Sequence, residues 1–309
     1  MFSRRIALTM LGAVLILCAG AVPASAAGPT RARPAAERPP FTGERPLTSD
    51  EWTASDRKIA AALAYLAAPE ARAAVTRTLA CVTPDGSPPS ALGSIDAQAS
   101  GLGDQTTSGC EVPHGFLAVS ARDQTRGHYC GPAVGQVIAN YTWAVPLDAN
   151  KYTQRQLAVW MGTDVTGGTS AYAMADGLDR ATLGAPRRPA QWDWVVTQLT
   201  DTDRDGAVTD QLHDYVRANV SGSKMALAIS VKPHDVNGRF HLSSWPKPVN
   251  SPGHWITGYG WWGLYDGTDS SRMLYTDSSK DEGGATGSFW DPMRHIAGMI
   301  KDHTGRFVW

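Results

Sequence analysis

Asp123-Gln124-Thr125-Arg126-Gly127-His128-Tyr129-Cys130-Gly131-Pro132-Ala133 is the stretch from which the rest of the chain is read. After Cys130 the apolar residues Val134, Val137, Ile138 and Tyr141 recur at spacings of three and four, the stripe of an amphipathic helix. Pro132 suits a first helical turn, where its missing N–H removes no intrahelical bond. The run predicts a helix from Cys130 to about Tyr141. A thiol at its start feels the positive end of the helix dipole, which favours thiolate, the form that attacks carbonyl carbon. Gly131 is expected to leave room for a substrate backbone.

A thiolate needs a base, a group to orient the base and a donor for the oxyanion. Gly253-His254-Trp255-Ile256-Thr257-Gly258-Tyr259-Gly260 alternates like a strand and places His254 at its head. Met273-Leu274-Tyr275 leads into Thr276-Asp277, and the Asp266-Gly267 turn signal lies between the two runs. Two adjacent antiparallel strands would bring Asp277 beside His254. Gln124, upstream of Cys130, carries an amide that could donate to an oxyanion together with the Cys130 N–H. Asp266 competes with Asp277 as orienter, but its Asp-Gly context already explains it as a turn residue.

The order Gln124, Cys130, His254, Asp277 with these surroundings resembles papain-like cysteine peptidases, and within them the bacteriocin-processing (double-glycine) peptidases and their secreted bacterial relatives. Gln124 with Cys130-Gly131-Pro132-Ala133 is similar to that family's oxyanion glutamine and nucleophile, Gly253-His254-Trp255-Ile256 to its histidine strand, and Thr276-Asp277 to its acidic residue. Gln156-Leu157-Ala158 to Met161-Gly162-Thr163 and Gly167-Gly168-Thr169 resemble its segment after the nucleophile helix. The resemblance implies an α+β papain-like fold, a helix-borne nucleophile against a sheet-borne histidine. It also implies a peptide or protein substrate and no cofactor. Nothing in the chain resembles the membrane exporters to which the double-glycine members belong, so their substrate does not carry over.

The remaining sequence sets the organisation. Arg4 and Arg5, the apolar stretch Ile6 to Val22 and Ala24-Ser25-Ala26 read as a secretory signal peptide over residues 1–26. Residues 27–46, rich in Pro, Arg and Ala, read as a disordered linker. Residues 47–113 read as a helical extension and a Gly/Ser/Pro-rich loop. Ser49 or Asp50 would cap its first helix, a second helix would run to about Leu79, and the whole is either a propeptide or an integral part of the fold. Residues 114–309 would form the peptidase domain. Helices are expected near 154–161, 171–180, 192–199 and 209–219, then strands at 226–231, 255–261 and 273–276.

Beyond the signal segment, Cys81, Cys110 and Cys130 leave an odd thiol in an oxidising compartment. Cys81 with Cys110 is a sensible disulfide, leaving Cys130 free. Read alone, Cys130 is equally a buried inert cysteine. Charges balance, 28 Lys+Arg against 29 Asp+Glu, and no basic patch argues for nucleic acid. No second membrane segment is expected, and a monomer is. Asp201-Thr202-Asp203-Arg204-Asp205-Gly206 opens like a calcium loop, but its twelfth position is Leu212 where a Glu is required, so a solvated turn is the expectation. His241, His295 and His303 lack metal-ligand spacing, His128 reads as a loop histidine, and Trp255, Trp261 and Trp262 read as core rather than substrate walls. Two other functions fit the same residues: an acyltransferase or cell-wall amidase, and a non-catalytic binding module with a relic triad.

Overall fold

Strands rich in buried β-branched and aromatic side chains dominate the second half of the chain, and the computed structural model gathers them into one antiparallel sheet. It describes residues 44–68, 114–200, 205–234, 238–247, 253–263, 271–279 and 284–309. Among these, β1 (His114–Phe116), β2 (Val196–Gln198), β3 (Leu227–Val231), β4 (His254–Trp262), β5 (Arg272–Asp277), β6 (Gly287–Pro292) and β7 (Arg306–Val308) pair in the order β2-β7-β3-β4-β5-β6, with β1 alongside β4. Every residue of β3 and β4 is buried, so both faces of the sheet centre are covered.

Helices supply that cover. Here α1 is Ser49–Ala67, α2 is Cys130–Thr142, α3 is Gln154–Trp160, α4 is Ala171–Thr182, α5 is Asp205–Arg217 and α6 is Met293–Lys301. A π-helical segment, Ala218–Ser223, continues α5. In α6, Met293, Ile296, Ala297 and Ile300 repeat at helical spacing and are all buried. The α+β architecture is thus the helix that begins at Cys130 packed on an antiparallel sheet, as the sequence predicts.

The helix α2 is less amphipathic than its stripe suggests. Residues 131–140 and Thr142 are buried, because α2 is wedged between β4, α3 and α4. A helix enclosed on all sides needs apolar or small residues all round, which Gly131, Ala133, Gly135 and Ala139 provide. Tyr141, expected in the stripe, is only half-buried and sends its hydroxyl to the Lys224 carbonyl at 2.9 Å.

Residues 192–199, expected helical, instead contain β2. Trp192, Trp194 and Val196 alternate with period two. Val195 and Trp309 also exchange N–H···O bonds of 3.0 and 3.2 Å, which continue the ladder beyond β2 and β7.

The N-terminal segment is built into the core. Helix α1 packs on the π-helical segment, α5 and β2. Its cap is Thr48, with Glu51 closing a capping box, rather than Ser49 or Asp50. Glu44, inside the expected linker 27–46, is buried. One of its oxygens accepts the Ala171 N–H at the start of α4 (2.6 Å), and the other pairs with Arg306 of β7 at 2.5 Å. The packed segment therefore begins by Glu44. Helix α1 is also joined to β2 by Ser55 and Thr197, whose hydroxyls lie 2.8 Å apart. The signal segment, the second helix to Leu79, the Cys81 and Cys110 pair, Asp201 to Arg204 and Asp266 lie outside the described residues.

Candidate active site

Cys130 is the first residue of α2, free and only partly buried. As a first-turn residue it has an N–H without an intrahelical acceptor. The expectation for Gly131 needs correcting. A Cβ there would lie 2.3 Å from Thr169 Oγ1 and 2.6 Å from Thr169 Cβ, so the missing side chain makes room for Thr169, not for a substrate. Thr169 is itself fixed: its hydroxyl lies 2.7 Å from that of Thr163, and its carbonyl accepts the Trp255 indole N–H at 2.9 Å.

Gln124 is buried in the loop before α2. Its N–H donates to the Ser278 carbonyl (2.9 Å), which ties the loop to the residue after Asp277. Its side-chain Nε2 donates to the Gly127 carbonyl at 2.9 Å; an amide has a second N–H. The loop is held from the other side by Gln154, which the sequence reading did not single out. Its Oε1 accepts the Thr125 N–H (2.8 Å), and its Nε2 donates to the Asp123 carbonyl (2.7 Å) and to Gln136 on α2 (3.1 Å).

His254 opens β4, and the register Thr257 opposite Thr276 puts Asp277 on the same sheet face one diagonal away. His254 Nε2 lies 2.7 Å from Asp277 Oδ1. An ionised carboxylate only accepts, so Nε2 carries the proton, leaving Nδ1 to meet the hydrogen-bonding thiol of Cys130. Asp277 takes three further donors: the Ser279 N–H at 2.9 Å on Oδ1, then the Ser244 hydroxyl at 2.7 Å and the Trp245 indole N–H at 2.8 Å on Oδ2. The Trp245 ring also stands edge-on to His254, centroids 5.1 Å apart. Neither Ser244 nor Trp245 carries a local sequence signal for this role.

Electrostatics follow from these contacts. Burial alone would lower the His254 pKa, but the Asp277 charge, its hydrogen bond and the Cys130 thiol outweigh burial and push it up to about 10. Burial alone would raise Asp277; the His254 charge and the donated hydrogen bonds hold it below the usual carboxylate range. The arrangement can therefore keep an imidazolium between a carboxylate and a sulfur.

Three solved structures similar to this chain are cysteine proteases. The Amb a 11 cysteine protease, a ragweed pollen allergen, in its proform matches at 11% identity and a TM-score of 0.37, over 67% of this chain and 66% of its own length. Bromelain from Ananas comosus with the E64 inhibitor matches at 11% and 0.36, over 62% of this chain and 92% of its own. A recombinant stem bromelain precursor matches at 11% and 0.38, over 86% and 94%. Likenesses of this size assign no residue a role. No family model matches the chain, and no curated protein is similar to it at a significant level.

Other candidates fall outside the site. His128 is a half-buried loop residue set edge-on to Tyr129, centroids 4.7 Å apart. Trp255, Trp261 and Trp262 are buried. Leu212, at the twelfth position of the calcium-like run, sits in the core with no exposure. Among the described residues no His, Cys, Asp or Glu cluster could hold a metal, and no helix is long and apolar enough to cross a membrane.

Proposed function

We propose that this chain is a cysteine peptidase that hydrolyses peptide bonds through an acyl-enzyme. The observation that carries the reading is the meeting of a helix-first thiol with a histidine whose far nitrogen is held at 2.7 Å by a buried, four-donor carboxylate. In the mechanism, the Cys130 thiolate adds to the scissile carbonyl carbon. The developing oxyanion is bound by the Cys130 N–H and the second amide N–H of Gln124. Collapse breaks the C–N bond, and the leaving amine takes a proton from His254. Water, deprotonated by His254, then attacks the thioester; the C–S bond breaks, the acid product leaves, and the Cys130 thiolate and His254 imidazolium are restored. Asp277 keeps the imidazole oriented and stabilises its charged form.

We further propose export through the segment around Arg4, Arg5 and Ala24-Ser25-Ala26, and kinship with the bacteriocin-processing-like peptidases on the residues quoted above. Intact-mass labelling with iodoacetamide near pH 6 tests the chemistry. Rapid single labelling at Cys130 that is lost in His254→Ala, followed by cleavage in a peptide library that is lost in Cys130→Ala, supports the reading. A wild-type thiol that reacts only after denaturation returns the chain to the binding-module alternative. Conjugates formed with added amines in place of hydrolysis make it a transferase.

A further inference from the structure

Three consecutive residues, Ser243, Ser244 and Trp245, contact two different buried carboxylates. Ser244 and Trp245 donate to Asp277, as described. Ser243 turns the other way. Its N–H donates to Asp291 Oδ2 at 2.9 Å, and its hydroxyl donates to Asp291 Oδ1. Asp291, on β6 and buried, also accepts the Tyr275 hydroxyl at 2.7 Å.

The directions of these bonds are fixed by donor arithmetic. Tyr275 has one proton and gives it to Asp291. Ser244 has one and gives it to Asp277. The longer Ser244 to Tyr275 oxygen separation of 3.3 Å therefore carries no proton of its own, while the Ser244 N–H approaches the Tyr275 oxygen at 3.4 Å. Burial and the Asp291 charge both raise the Tyr275 pKa, so the phenol stays a donor. The loop is further held by the Ala285 N–H on the Ser244 carbonyl (2.8 Å). It also fits against Gly284, where a Cβ would meet Trp245 at 2.8 Å and the Ser279 carbonyl at 2.7 Å.

We propose that Asp291 is a positioning residue for the His254–Asp277 pair, acting through the Ser243-Ser244-Trp245 loop that it anchors. The proposal rests on the catalytic reading above for its consequence in turnover, but not for the geometry it predicts. Asp291 touches neither Cys130 nor a substrate in this role. It holds the two donors that keep Asp277 ionised and aimed. Without the anchor, Ser244 and Trp245 release Oδ2, Asp277 becomes harder to ionise, and the His254 imidazolium loses part of the charge that stabilises it.

Asp291→Asn keeps the side-chain shape but opposes an amide N–H to one of its present donors. Cys130 alkylation at pH 6 should slow about tenfold, a coupling typical of shared hydrogen-bond networks, and the acid limb of its pH profile should move upward. The low-field proton resonance that the 2.7 Å His254 Nε2–Asp277 Oδ1 bond should give in the wild type should shift or vanish. Trp245→Phe should reproduce both effects, and adding Asp291→Asn to it should change little more. Should Asp291→Asn not fold, Tyr275→Phe removes one Asp291 partner while keeping the ring and carries the same test. A lower melting temperature with an unmoved pH profile and an unmoved resonance overturns the proposal and leaves Asp291 a purely structural residue. A slow wild-type thiol together with a resonance that moves in Asp291→Asn overturns the catalytic reading and supports the positioning one.

Discussion

Asp277 is the residue through which most of the order in this site passes. Four donors from four residues saturate its oxygens, so its charge is paired and its direction set at once. Two consequences can be measured. His254 is raised from an ordinary 6.5 to about 10, and Asp277 is lowered from an ordinary 3.8. A raised base stabilises the fold fully below its ordinary value and loses that contribution as pH climbs through the raised one; a lowered acid does the reverse. The pair's contribution is thus complete between roughly pH 4 and 6.5, fades as pH rises toward about 10, and is lost on the acid side as Asp277 takes up its proton. Denaturant titrations across pH should show these declines in wild type and a flatter curve for Asp277→Asn; parallel curves would mean the pair contributes nothing. Gln124→Ala addresses the oxyanion. Turnover should fall by about 10²- to 10³-fold with the fold intact, and near-normal turnover removes Gln124 from the site.

Between elements, the close approach of α2 to the Thr169 loop is what seats Cys130. Gly131→Ala forces a methyl group into Thr169 and should cost about 1–3 kcal/mol, the usual penalty of overpacking. Thr169→Gly in the same chain should recover much of it. A Gly131→Ala protein of unchanged denaturation midpoint would show that the loop yields freely. The start of α2, the His254 strand and the Asp277 strand were legible because each is announced locally, by Cys-Gly-Pro before a helical stripe or by alternation around His254. What closes the site was not. Gln154, Ser244 and Trp245 act on backbone or carboxylate atoms about 30 residues away in sequence, and such contacts leave no periodic trace in the segments that make them. Residues 192–199 hide their strand for a different reason. Their tryptophans alternate as in a strand, but so short a strand is defined by its partner β7, more than 100 residues on.

At the scale of the molecule, the buried pair of Glu44 and Arg306 ties the earliest described residues to β7 and, through the Ala171 N–H, to α4. Glu44→Ala would leave the Arg306 guanidinium buried without its carboxylate, a loss of about 3–5 kcal/mol. Replacing both, as Glu44→Ala with Arg306→Met, should cost less than the sum of the single changes, which chemical denaturation can read. Simple additivity would show that the two charges do not depend on each other. The sheet order has a consequence in time. Strand β7, the latest in sequence, lies between β2 and β3, with Ala228 and Ile229 on one side and residues 196–198 on the other. A ribosome delivers residues 306–308 after every other described strand, so until they emerge β2 has no place in the sheet and the β3 edge that β7 will cover stands open. The growing chain must therefore wait, unfinished and exposed along that seam, for a three-residue keystone.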